Sequence, residues 1–354
     1  MILYVWHYLQ GSYFKVAVID YATSVIWVKR FNDVGEFEIY LPASTELLNL
    51  FTDQTIITRD DEETVMIFEK IKLTTDDENG DYLTISGRSI ESIIERRIIS
   101  KQTNFNGKAE SCIRKFMEEN IISPSDANRK IDLLELGEVQ GYTEKIDKQA
   151  TGKNLLDTIK EICVSYEYGF KIRFANEKFI FDLYKGTDRS LHQSENTHVV
   201  FSSQFENLGN TEYSYDITSF YNSAYVGGEG EGKDRVIENA SAASAVGMYR
   251  REMWVDARST SSNTDESTLT PKQYAALLVQ QGHEELKNAK ETKEFSGELL
   301  DINQYVYGKD YQLGDKVSVV NEYGISGTAT VTEITEVEDE NGYKITPTFS
   351  EWSE

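Results

Sequence analysis

The chain opens with short runs in which apolar and polar residues alternate, the pattern of strands with one buried face. "ILYVWHYL", "YFKVAVID", "SVIWVKRF" and "GEFEIYLP" are rich in β-branched and aromatic residues and are separated by turn residues. In the last run Glu36, Glu38 and Tyr40 alternate with Phe37, Ile39 and Leu41. "TVMIFEKIKLTTDDENGDYLTISG" predicts two strands joined at Asn79-Gly80, a type I′ hairpin signal. The period then changes. "RSIESIIERRII" predicts a helix that opens on a serine cap and carries Ile90, Ile93, Ile94 and Arg97 or Ile98 on one face.

From residue 101 the pattern is mixed. "AESCIRKFMEEN" aligns Ala109, Cys112, Ile113, Phe116 and Met117 in one apolar stripe, and "GKNLLDTIKEICVSY" aligns Leu155, Leu156, Ile159, Ile162 and Cys163. A hairpin follows, "FKIRF" and "KFIFDLY", turned at Ala175-Asn176-Glu177. After residue 200 strands return, and "EYSYDITSFYNSAYVGGEGEGKDRVIENA" reads as strand, glycine-rich turn, strand. The polar stretch "RSTSSNTDESTLTP" leads into a helix whose start is well marked: Thr270 suits the N-cap, Pro271 the first position and Gln273 a capping box. The remainder, from "FSGELLDINQYVYGKDYQLGDKVSVV" onward, is β again. "DENG" occurs at Asp77–Gly80 and at Asp339–Gly342, each time between alternating strands. It marks either two uses of the commonest hairpin turn or a duplicated β-barrel domain.

A chain of 354 residues holds two or three domains at roughly 150 residues each. Its 39% hydrophobic and 27% charged content is that of a globular protein. The net charge of −24 argues against wrapping nucleic acid, which requires Lys and Arg to displace counterions. "MILYVWHYLQ" lacks the basic segment and cleavage site of a signal peptide, and no apolar run is long enough to span a bilayer. Cys112 and Cys163 fall on the apolar stripes, which points to buried free thiols rather than a disulfide or nucleophile.

Each candidate chemical motif fails on its own requirements. "GGEGEGKD", Gly227 to Asp234, matches G-x-x-x-x-G-K-[ST] at Gly227, Gly232 and Lys233, but Asp234 stands where the Mg²⁺-binding hydroxyl belongs. Glu229 and Glu231 add charge of the wrong sign, and "RVIENA" continues as strand rather than helix. The loop is expected to be exposed or at a subunit contact, without ligand. "HEELK" at His283 puts Lys287 where a zinc helix needs its second histidine, so it reads as a solvated face. "SGRSIE" has Glu91 in place of the last glycine of a nucleophile elbow, and Ser89 reads as a helix cap. His7, His192, His198 and His283 show no metal spacing. The acidic clusters at 59–63, 75–81 and 336–340 read as solvated hairpin tips rather than calcium loops, since a loop with Gly80 at its sixth position would begin at Thr75. Sixty acidic residues single out no glycosidase pair. These readings predict no catalytic residue, cofactor or metal, and hence a structural or interaction protein.

Several segments, in order and spacing, resemble the hub proteins of phage tail baseplates, the hub portion of tail-tip proteins from phages, prophages and tail-like particles. They are "FNDVGEFEIYLP", "LTISGRSIESIIERRII", "TGKNLLDTIKEICVSYEYGFKI", "SFYNSAYVGGEGEGKDRV", "MWVDARS" and "YVYGKDYQLGDKVSVVNEYGISGTATVTEITE". The resemblance implies an α+β, multidomain fold with two tail-tube-like β-barrel domains, the second discontinuous, plus α/β and helical insertion domains. Its boundaries would be 1–100 for the first barrel, 101–199 for an α+β domain, 200–237 with 295–354 for the second barrel, and 238–294 for a polar, helical insertion. The glycine-rich loop would then sit on the edge of the second barrel. Gly35, Arg88, Asp256, Arg258, Asp310, Gly314 and Asp315 are structural positions of the motif segments.

The resemblance further implies a homotrimer whose six barrels match a six-fold tube. Its partners would be a tail tube or distal tail protein, a tape measure protein, and central spike or fibre and receptor-binding proteins. Its location would be the virion, after synthesis in the bacterial host cytoplasm. The chain stops at Glu354, about where the hub ends, so lytic and receptor-binding functions would belong to partner chains. The acidity suits a hub that DNA passes without sticking, with carboxylates along the lumen. The alternatives are a carbohydrate-binding or host-adhesion module, marked by an exposed aromatic platform, and a cell-wall hydrolase, marked by facing carboxylates or a metal in a cleft.

Overall fold

The computed structural model describes all residues except 77–79, 264–267, 300–303, 322, 325 and 354. Its first ninety residues form β1 (Leu3–Leu9), β2 (Ser12–Ile19), β3 (Ser24–Arg30), β4 (Glu36–Pro42), β5 (Ile56–Arg59), β6 (Val65–Thr74) and β7 (Tyr82–Ser89). These strands lie antiparallel in the order β3-β4-β7-β6-β5-β1-β2. Alternation decides which face is buried: Phe37, Ile39 and Leu41 of β4 point inward, and Glu36 and Glu38 outward. The inward face builds a core from Leu3, Val5, Trp27, Ile39, Ile57 and Ile85. The first "DENG" turn falls at Asp77–Asn79, outside the described residues. The strands flanking it pair as expected, with Thr74 opposite Tyr82.

The helix expected after β7 is shorter and tighter, a 3-10 turn over Ile90–Arg96. Ile90, Ile93 and Ile94 are buried as read, but the turn ends before Ile98, which is exposed while Ile99 takes the core position. Ser89 makes no cap bond, because its Oγ accepts the Gly35 amide at 2.9 Å and ties the turn to β4 instead. Next come β8 (Thr103–Lys108), α2 (Ala109–Met117), β9 (Leu134–Leu136), β10 (Lys145–Ala150), α3 (Leu155–Tyr166), β11 (Gly169–Ala175) and β12 (Lys178–Tyr184). The helix labelled α1 is the short Thr45–Leu50 segment between β4 and β5. The stripes of α2 and α3 are buried together against Phe170 and Phe181 of the β11–β12 hairpin. Asn176 and Glu177 take the left-handed conformation that a two-residue hairpin turn requires.

The remaining elements are β13 (Val200–Ser202), β14 (Leu208–Asp216), β15 (Ser223–Gly227), β16 (Ile237–Ser241), β17 (Glu252–Asp256), α4 (Pro271–Asn288), β18 (Thr292–Leu299), β19 (Lys316–Val320), β20 (Ser326–Asp339) and β21 (Gly342–Ser353). Helix α4 starts as the sequence predicts, with a complete Thr270–Gln273 capping box and Pro271 in its first turn. The second "DENG" closes the β20–β21 hairpin, with Asp339 opposite Gly342. The C-terminal strands enclose Phe201, Val317, Val319, Val331, Ile334 and Phe349. Strand β20 also pairs antiparallel with β3, from Glu333↔Arg30 to Glu338↔Val25. Among the described residues, thirteen strands thereby form one sheet with β14 and β2 at the ends of its main path and β13 at the end of a branch through β19, and no pairing closes it into a ring. The expected mixed α+β class, dominated by strands, is present.

Strand β15 leaves this sheet. It pairs antiparallel with β16 and parallel with β17, and α4 packs on the result through Gly282, beside Val226 and Ala240. "GGEGEGKD" is therefore a strand–loop–strand connection, as read, but it sits on this small sheet and not on the edge of the large one. The reason is that β15 finds both its backbone partners in β16 and β17. Residues Gly230 to Asp234 are exposed, whereas Gly227 and Gly228 are buried. A Cβ on Gly227 would lie 2.3 Å from Trp254 Cζ2, and one on Gly228 would lie 2.4 Å from Tyr274 Oη. Glu229 turns inward and accepts from the amide and hydroxyl of Ser262 at 2.9 and 2.7 Å. The glycines thus allow close packing against Trp254 and α4. Gly227→Ala is expected to lower stability by about 1–3 kcal/mol, the range for overpacking, and Glu231→Ala by less than about 0.5 kcal/mol. Chemical denaturation of the two variants reads the difference, and equal effects would contradict this account of the loop.

Candidate functional site

The β3–β20 ladder carries charge on its inward face. Side chains alternate along a strand, so Lys29 shares the face of Val25 and Trp27, and Glu336 shares that of Ile334. Arg59 follows Ile57 onto the same interior by the same parity. Lys29, Arg59 and Glu336 keep only 9%, 5% and 2% of their surface exposed. Glu336 accepts from Lys29 through Oε1, and from Arg59 Nη1 and Tyr343 Oη through Oε2, at 2.6 and 2.7 Å. Lys29 also donates to Glu62 at 2.6 Å and lies 4.5 Å over the Tyr307 ring. Arg59 clamps Asp61 with Nε at 2.9 Å and Nη2 at 2.6 Å. On the opposite face Arg30 donates to Glu333 at 2.6 Å, to Glu36 at 2.8 Å and to the Val34 carbonyl at 2.9 Å. Lys29, Arg59 and Glu336 help wall a cavity of about 890 Å³ that also takes in Glu91, Lys171 and Gln312.

Two cations face three carboxylates around Lys29, leaving one negative charge in excess. Burial opposes charge on Lys29, yet Glu62 and Glu336 hold its ammonium above the ordinary lysine value. Burial likewise opposes the Glu336 and Asp61 carboxylates, and their cationic partners still bring both below the ordinary range. Glu62 goes the other way, because burial outweighs Lys29 and raises it. Breaking a buried pair of this kind costs far more than the pair adds over an apolar contact. A one-residue slip of β20 would carry Glu336 to the wrong face. The arrangement suits a lock on strand register. Among the described residues no group of three or more His, Cys, Asp and Glu side chains is placed to hold a metal ion.

Two further polar junctions tie other elements together. Asp315, 3% exposed, accepts the Thr187 amide and Arg189 Nε, both at 2.7 Å, and the Gln312 amide at 3.0 Å. Beside it the Phe31 ring fills the space where a Cβ on Gly169 or on Gly314 would lie, 2.4 and 2.3 Å from its Cε2. Lys148, from β10, donates to Glu284 of α4 at 2.6 Å and to Glu161 of α3 at 3.2 Å.

The motif positions named from the sequence divide among these places. Gly314 and Asp315 meet at the Phe31 junction, and Gly314 has the positive φ of +88° that favours glycine. Gly35 packs against the Val28 carbonyl, which a Cβ would approach to 2.2 Å, and Arg88 pairs with Glu69 and Glu95 on the outside of β7. Asp310 closes a turn by accepting the Val306 amide at 2.8 Å. Asp256 and Arg258 pair with each other on the small sheet, and Asp256 also holds Arg235 at 2.7 Å.

Sequence reasoning missed Lys29, Arg59, Glu62 and Glu336. The available signal was a charge at inward parity, in V-x-W-x-K and I-x-R. The 59–63 and 336–340 clusters are not wholly solvated as expected: Glu62 turns onto Lys29 and Glu336 is buried between Lys29 and Arg59, whereas Asp61 pairs with Arg59 and stays exposed. In "HEELK" His283 is exposed, but Glu284 is drawn inward by Lys148. Cys112 and Cys163 are free and buried, as read, and burial pushes the Cys112 thiol up to about 12.

The sequence matches the model of the Siphovirus ReqiPepy6 Gp37-like protein family over residues 2–349. The chain belongs to that family. No curated protein matches it. Its fold is shared by a tail protein from Neisseria meningitidis MC58, at 13% identity over 99% of this chain and 96% of that one, with a TM-score of 0.57. The 43 kDa tail protein of prophage MuSo2 from Shewanella oneidensis is similar, at 12% identity over 99% and 98% of the chains and a TM-score of 0.56. So is prophage tail protein gp18 from Listeria monocytogenes EGD-e, at 11%, 98%, 94% and 0.51. For this member of the Gp37-like family the resemblance to phage tail proteins therefore holds in family and fold. No described helix is long and apolar enough to cross a membrane.

Glu336→Ala leaves Lys29 and Arg59 short of their shared partner and is expected to lower stability by about 3–5 kcal/mol, read by chemical denaturation. The pH dependence has a definite sign. Glu336 and Asp61 titrate lower in the folded state than in the unfolded chain, so their stabilisation is present at neutral pH. It is lost as pH falls below about 5, where the unfolded carboxylates take up protons first. Glu62, raised on folding, opposes this. Glu336→Gln is expected to be less stable at pH 7 and to lose less stability on acidification than the wild type; parallel curves would contradict the pairing.

Proposed function

We propose that the chain is the structural hub of a phage tail or tail-like particle. Three copies form a ring that joins the six-fold tail tube to the central spike, fibre or other tip proteins and lets DNA or the tape measure pass. The observation that carries this reading is the family match over residues 2–349, together with a tail-protein fold that extends over the whole chain. The sheet supports it as well. Its N-terminal and C-terminal strand sets each surround their own apolar core, and β3–β20 is the ladder that joins them. Each set is the tube-like, barrel-forming unit in our reading, so a trimer would offer six.

The proposed division is 1–100, 101–199, 200–237 with 295–354, and 238–294, with β15 grouped by its pairing with the last. The role is non-enzymatic: the buried charges of the β3–β20 junction are committed to one another. Part of the −24 charge lines the lumen and repels phosphate. The partners are a tube or distal tail protein, a tape measure protein and the tip proteins, and the location is the virion.

Native mass spectrometry of the full chain tests the ring, with light scattering over a concentration series to check it. The expected mass is three times that of the protomer, and a monomer at every concentration overturns the ring.

A further inference from the structure

A second cleft lies apart from the ionic junction, between the β8–β10 ladder and the first half of α4, with a volume of about 690 Å³. Its chemistry is unusual for so acidic a chain. Six carboxamides line it: Gln102, Asn104, Asn106, Gln149, Gln273 and Gln280. The charges among its lining, Lys115 and Lys148 against Glu119 and Asp147, balance. The Phe105 ring lies over Gly107, whose Cβ would come within 3.0 Å of it, and Leu269 and Leu277 supply the remaining apolar wall.

Seven of the twelve amide polar atoms are already bonded, Gln149 using both of its own on Ser261. Gln102 donates to Asn104 Oδ1 at 3.3 Å, and Asn106 donates to Asp147 at 3.0 Å. Gln280 donates to the Asp147 carbonyl at 2.7 Å, and Gln273 Oε1 accepts the Thr270 amide at 3.0 Å. The other five are unused. Asn104 Nδ2 and Gln273 Nε2 as donors, and Gln102 Oε1, Asn106 Oδ1 and Gln280 Oε1 as acceptors, have no intrachain partner among the described residues.

We propose that this cleft binds a neutral glycan. Sugar hydroxyls and N-acetyl groups each need a donor and an acceptor close together, which amides supply without charge. A pyranose ring has a C–H face that lies well on an aromatic ring such as Phe105. Among the described residues of the lining, an anionic ligand finds no surplus cation and a cationic one no surplus carboxylate. The inference is independent of the ring proposed above.

The test is calorimetric titration of the full chain with chitotriose and, separately, maltotriose, with trialanine as a neutral peptide control. Saturable binding of a sugar is expected. Phe105→Ala and Asn104→Ala should each weaken it by about tenfold or more, the loss of one stacking or hydrogen-bonding contact. Trp254→Ala, on the small sheet, should leave it unchanged. Asn104→Ala keeps the test open should Phe105→Ala unfold. Absence of saturable binding of both sugars at millimolar concentration overturns the proposal. So does binding of trialanine in their place, or sugar binding that neither cleft variant weakens.

Discussion

Glu336 is asked to satisfy two buried cations at once, Lys29 from the neighbouring strand and Arg59 from the far side of the same interior. The β3–β20 ladder, which contains Glu336, carries the large sheet from the strands of the first ninety residues to β13, β14, β18, β19 and β21, which lie after residue 199. Without it the sheet would be two, each with its own core. An apolar ladder could hold the two together, but it would tolerate slippage by two residues, since parity is preserved and one aliphatic side chain resembles another. A carboxylate that must meet an ammonium, a guanidinium and the Tyr343 phenol does not tolerate it. Specificity of register, more than net stability, is what a buried ionic group of this kind supplies.

The other junctions follow the same logic with different parts. Asp315 gathers two backbone amides and Arg189, so the segment after β12 is held to the start of β19 by bonds that exist in one geometry only. Phe31 is fitted against two glycines that leave no room for another side chain. Lys148 binds α3 and α4 through Glu161 and Glu284. Polar locks and backbone-tight contacts thus reinforce apolar packing that itself crosses the chain, since Tyr13, Ile56 and Ile67 share one cluster with Phe170 and Phe181, and Phe31 packs with Phe201 and Val317. This arrangement suits a protein that must keep a fixed shape inside an assembly, where its partners read relative positions rather than a single pocket.

What could be read from the sequence was local. The stripes of α2 and α3, the Thr270–Gln273 capping box, the alternation of β4 and the turn at Asn176-Glu177 are fixed by neighbours a few residues apart, and each is visible in a few letters. Asp234, Glu229, Glu231 and the strand after them, which exclude a phosphate loop in "GGEGEGKD", are also local. What escaped was long-range. Nothing near Lys29 says that its partner lies some three hundred residues away. The acids at 59–63 look like any solvated tip until Lys29 is placed above them. Ser89 was read as a helix cap because the competing Gly35 amide is distant in sequence. The parity of Lys29 with Val25 and Trp27, and of Arg59 with Ile57, is the local hint that a charge points inward.

Hydrogen exchange followed by mass spectrometry, comparing the wild type with Glu336→Ala, tests most directly whether one ionic lock holds the sheet together. Faster exchange is expected in both Ser24–Arg30 and Glu333–Glu338, with the β11–β12 hairpin unchanged. Protection that persists in Ser24–Arg30, or loss confined to β20, would contradict it.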